Sequence, residues 1–122
     1  MVVDMVLGGV TVPVMPPGQG DVCSPIHEDD IFDHVPGLLD AAGVPATIVN
    51  WGGDEGVSVP EMVDYVAGRL GREAKVDAGP EGIHQYWLDP AKRIELAGPC
   101  RVPWREGIDR LIAARHPEIE LS

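Results

Sequence analysis

Apolar residues in this chain fall into short clusters punctuated by glycine and proline, and the spacing inside each cluster predicts the elements. Residues 1–9 (MVVDMVLGG) are mostly apolar and end in Gly8-Gly9, which reads as a helix tail stopped by glycine. Residues 10–15 (VTVPVM) are β-branched and read as a short strand, held at an edge by Pro13. A loop, PPGQGD, leads to an extended piece, VCSPI, that runs into His27-Glu28-Asp29-Asp30. From Asp29 the period becomes helical: Ile31, Val35, Leu38 and Leu39 share one face, with Phe32 and Ala42 beside them and Gly43 as the stop. Pro36 sits about two turns into that helix and predicts a kink or a helix in two pieces. Ala46 to Asn50 (ATIVN) is too short for a helix and apolar on both faces, the pattern of a strand buried in a parallel sheet.

The next helix is the plainest in the sequence. Ser58 and Glu61 form a capping box, and Pro60 suits the first turn. Val59, Met62, Val63, Val66 and Leu70 line one face before Gly71. EAKVDA predicts a strand and GPEGIHQY a loop. Asp89-Pro90 opens a short helix closed by Gly98. A last helix starts near Pro103, carries Trp104, Ile108, Leu111 and Ile112, and ends at Pro117. This alternation predicts an α/β fold with a small, partial sheet and packed helices.

A length of 122 residues implies one domain, large enough to bury a core. No apolar run reaches bilayer length, and the N-terminus lacks the basic region of a signal peptide, so a cytoplasmic location is expected. Twenty acids against nine bases give a net charge of −11. Such a surface repels nucleic acid and anionic lipid, so neither is an expected partner. Cys23 and Cys100 are expected to be reduced thiols, and the Cys23/His27 spacing has no second ligand pair, so no metal site is expected.

Candidate chemistry centres on NWGGDEGVSVPEM, residues 50–62. Gly52, Gly53 and Gly56 do not have the spacing of a dinucleotide fingerprint, and Asp54 and Glu55 stand where phosphate charge would lie. No phosphate-binding lysine follows. The tetrad GGDE shares its letters with the cyclic-dinucleotide synthase signature, but the aromatic that follows it there is absent. The glycines are therefore read as a sharp turn between a buried strand and a capped helix.

Five motifs in order carry a family resemblance. Ile26, His27 and Asp30 match a hydrophobic-His-x-x-Asp helix start; Val49, Asn50 and Gly52 match a strand ending Asn-x-Gly; Val57, Ser58 and Glu61 match a capped helix; Asp89, Lys92, Leu96 and Gly98 match an Asp-x-x-Lys helix ending Leu-x-Gly; Glu106, Gly107 and Ile108 match a closing helix. Together they resemble the C-terminal half of extended short-chain dehydrogenase/reductases, the NAD(P)-dependent epimerase/dehydratase family. The resemblance implies lobe strands and a loop over residues 1–27, a Rossmann-like helix–strand–helix over 28–71, and substrate-lobe elements over 72–122. It implies NAD or NADP for a full-length member. The family's glycine-rich coenzyme turn and Tyr-x-x-x-Lys have no match here: Tyr65 is followed four residues on by Arg69, and Tyr86 by Pro90. No catalytic or coenzyme-binding residue is therefore assigned, and the chain is expected to be inactive alone. Where many sugar-nucleotide members carry Arg-Asp-aromatic, this chain has Cys23, Ser24 and Pro25, which implies a neutral or smaller substrate, or none.

Cys23, Ser24 and His27 are the candidate substrate contacts. On its residues alone, His27 reads as a local hydrogen-bonding group at a strand-to-helix corner, Glu28, Asp29 and Asp30 as a helix-start cluster, and Trp51, Trp87 and Trp104 as packing residues. Two functions remain: the substrate-binding part of an epimerase/dehydratase-like oxidoreductase, or a non-catalytic, self-associating binding or scaffold domain derived from it. The expected partners are an N-terminal coenzyme domain, or further copies joined at an exposed sheet edge in a dimer or larger assembly.

Overall fold

The computed structural model describes residues 2–121. Along the chain run α1 (Val2–Leu7), β1 (Val12–Val14), β2 (Val22–Cys23), α2 (Glu28–Asp40), β3 (Val57–Ser58), α3 (Val59–Leu70), β4 (Val76–Ala78), α4 (Ala91–Ala97) and α5 (Trp104–Arg115). The strands form two separate ribbons. β1 and β4 are parallel, with Val12 opposite Val76 and Val14 opposite Ala78, while β2 and β3 are antiparallel. Pro13 costs no ladder inside a wider sheet, because β1 is itself an edge.

One apolar core joins α1, β1, α3 and α5. Val3, Val6, Val12, Val14, Val63, Val66, Ala67, Leu70 and Ile112 are buried together. Helix α3 has the signals its sequence carries: the Ser58 hydroxyl accepts from the Glu61 amide at 3.2 Å, and Gly71 ends the helix with φ of 65°. Ile112 is fully buried, which is worth about 2–3 kcal/mol relative to exposure.

Helix α2 is built the other way round. Asp30 and His34, each 1% exposed, face the protein, and Gly37 follows them on the inner side. A side chain at Gly37 would lie 2.6 Å from the Leu96 carbonyl oxygen, so glycine lets α4 approach. The apolar stripe of Ile31, Phe32, Val35 and Leu39 faces solvent, with Phe32 79% exposed. The helical period was legible, but the buried face is the polar one. Pro36 lies within a continuous helix rather than splitting it in two.

Residues 46–50 form no strand, and Ile48 is 80% exposed. The β-branched run lacks the neighbouring strands that a buried parallel strand needs. Trp104 is buried as expected, but Trp51 and Trp87 are 40% and 55% exposed and do not belong to the core. The glycine cluster is structural, and the chain bends at Asp54 and Glu55, but close approach rather than positive φ is what requires glycine there. None of its three glycines has positive φ. A Cβ on Gly53 would sit 1.7 Å from the Pro25 carbonyl oxygen, and one on Gly56 would meet the Trp87 ring at 2.7 Å.

Candidate functional site

Three loops converge beside the N-terminus of α5: the corner 23–29, the glycine segment 50–56, and the connector 98–103 between α4 and α5. Carboxylates draw them together. Asp30 accepts from the amides of Arg101 and Val102 at 2.8 and 3.1 Å. Asp54 accepts from the Cys100 amide at 2.8 Å and from the guanidinium of Arg93. Glu55 accepts from the Trp104 amide at 3.3 Å, occupying one of the free donors at the start of α5. Arg93 is fully buried and also donates to the carbonyls of Gly98 at 2.6 Å and Gly52 at 3.2 Å.

The electrostatics follow from this clamp. Burial alone would raise the Asp54 carboxyl, but the bonds from Arg93 and the Cys100 amide outweigh it and hold the group below the ordinary carboxylate range. The Cys100 thiol is pushed up to about 11, chiefly by burial. Cys23 is also raised by burial, and its thiol donates to the Val57 carbonyl at 3.4 Å. Neither cysteine is prepared to act as a thiolate nucleophile.

An open groove of about 500 Å³ lies between the corner and α5. Pro25, Ile26 and His27 form one wall; Trp104, Ile108 and Leu111 form the other. His27 caps α2: its Nδ1 accepts from the Asp29 amide at 3.1 Å, so a neutral ring carries its hydrogen on Nε2. Arg110 sits at the rim but is held by Asp29 at 2.9 Å and Glu106 at 2.6 Å. Its charge is already matched by these two carboxylates. A smaller pocket of about 230 Å³ adjoins it, sharing Pro25 and Trp104 and reaching Asp54, Glu55 and Cys100.

The three sequence-derived candidates are therefore separated. His27 lines the groove. Cys23 is engaged in the β2–β3 ribbon. Ser24 is engaged twice, its hydroxyl accepting from the Leu88 amide at 2.9 Å and its carbonyl from the Gly53 amide at 3.1 Å. The sequence reading missed the clamp of Asp30, Asp54 and Arg93. The signal available was the paired acids of GGDEG and an arginine inside a short helix, but nothing in their spacing joins them. Tyr65 donates to Asp109 at 2.9 Å and stacks edge-on against Trp104. Burial, then the Asp109 bond, raise its phenol, opposite to the shift of a tyrosine base. Among the described residues no cluster of three or more His, Cys, Asp or Glu could hold a metal, and no helix is long and apolar enough to cross a membrane.

No protein-family model and no curated protein matches the sequence. Solved structures do. UDP-glucose 4-epimerase from Thermus thermophilus, in complex with NAD, superposes with a TM-score of 0.64 at 24% identity, covering 88% of this chain and 36% of that one. This chain has the fold of one part of such an epimerase. UDP-glucuronic acid 4-epimerase from Bacillus cereus, in complex with UDP-glucuronic acid and NAD, gives 0.67 at 18% identity over the same shares. The Bordetella bronchiseptica enzyme WbmG, in complex with NAD and UDP, gives 0.67 at 22%, covering 92% of this chain and 35% of that one. The chain thus spans about a third of the length of the epimerases it matches.

Proposed function

We propose that this chain is the C-terminal, substrate-binding part of an NAD(P)-dependent epimerase/dehydratase-like oxidoreductase, with the coenzyme turn and the Tyr-x-x-x-Lys pair on polypeptide outside these 122 residues. The observation that carries the reading is the superposition on about a third of each epimerase, with the five motifs in family order. In this reading the groove between His27 and α5 takes the uncharged part of the substrate. His27 orients it through Nε2, and Trp104 and Ile108 exclude water from its apolar face. Proton and hydride transfer belong to groups the chain does not carry, so it has no turnover alone.

Titration of the purified chain with NADH, followed by nucleotide fluorescence, is expected to give no saturable change, and UDP-glucose is expected to remain unconverted. Amide NMR with glucose and with UDP-glucose is expected to shift residues 25–29 and 104–111, with no added effect from the diphosphate. Saturable coenzyme binding or conversion by the chain alone refutes the division of labour. Ligand shifts away from the groove refute the substrate assignment.

A second reading, a non-catalytic domain that associates with itself, is favoured by one observation: the apolar stripe of α2 faces outward.

A further inference from the structure

We draw no further inference here: the strongest candidate, the outward apolar stripe of α2 beside the surface run of residues 46–51, is an unpartnered face, and nothing in the structure shows what covers it.

Discussion

Replacing Asp30 by alanine tests the carboxylate clamp most directly. The Asp30 side chain is 1% exposed and accepts from two main-chain amides, 71 and 72 residues away in sequence. Each hydrogen bond to a charged acceptor contributes about 1.5–3 kcal/mol, and removing the acceptor leaves part-buried donors unsatisfied. Hydration of the free carboxylate in the unfolded chain offsets part of this, so the expected loss is about 3 kcal/mol. That is a large share of a typical domain's stability of about 5–15 kcal/mol. Urea unfolding followed by tryptophan fluorescence measures it, with native-state hydrogen exchange at Arg101 and Val102 as the local readout. Asp29→Ala is the matched control. Asp29 neighbours Asp30 in the same helical turn, but its side chain is 62% exposed and holds Arg110 in solvent, so its removal should cost under about 1 kcal/mol. Equal losses for the two variants, or an Asp30→Ala protein within about 0.5 kcal/mol of the parent, would refute the reasoning.

Further expectations follow from the same geometry. Gly53→Ala should cost about 3 kcal/mol or more, because its methyl would sit 1.7 Å from the Pro25 oxygen. Gly68→Ala, in open space inside α3, should stabilise by about 0.5–1 kcal/mol, and chemical denaturation of both variants checks the contrast. Asp54 has a lowered folded pKa, so its contribution is present above the ordinary carboxylate range and is lost as pH falls through the lower folded value. Stability against pH should therefore fall less steeply in acid for Asp54→Asn than for the parent, and parallel curves would count against the clamp. With the Cys100 thiol at about 11, its alkylation by iodoacetamide at pH 8 should run roughly 100-fold slower than that of a free cysteine. Mass spectrometry in a Cys23→Ser background measures the rate, and one near that of free cysteine contradicts the assignment.

What could be read from the residues was set by local chemistry. α3 announces itself through Ser58, Glu61 and Gly71, because its capping partners lie within four residues. The stop of α1 at Gly8-Gly9 is similarly local. The orientation of α2 was not local. Its stripe of Ile31, Val35 and Leu39 has the period of a core face, but which side is buried depends on Gly37 admitting α4 and on Asp30 reaching Arg101. The run ATIVN shows the same limit. Its composition suits a strand, while strand formation requires a neighbour that the described residues do not supply. In the candidate site, the place of His27 as a helix cap could be read from its position before three acids. The partnership of Asp54 with Arg93 spans 39 residues and is set only by the folded chain.

The clamp has one more consequence, for which sequences the connector can carry. Asp30 and Asp54 grip residues 100–102 through peptide N–H groups, with the Cys100 thiol a further partner of Asp54. Every amino acid but proline offers that donor, so at 101 and 102 the grip itself asks for no particular side chain. Proline alone lacks the hydrogen, and a proline at 100, 101 or 102 would be the substitution this loop refuses.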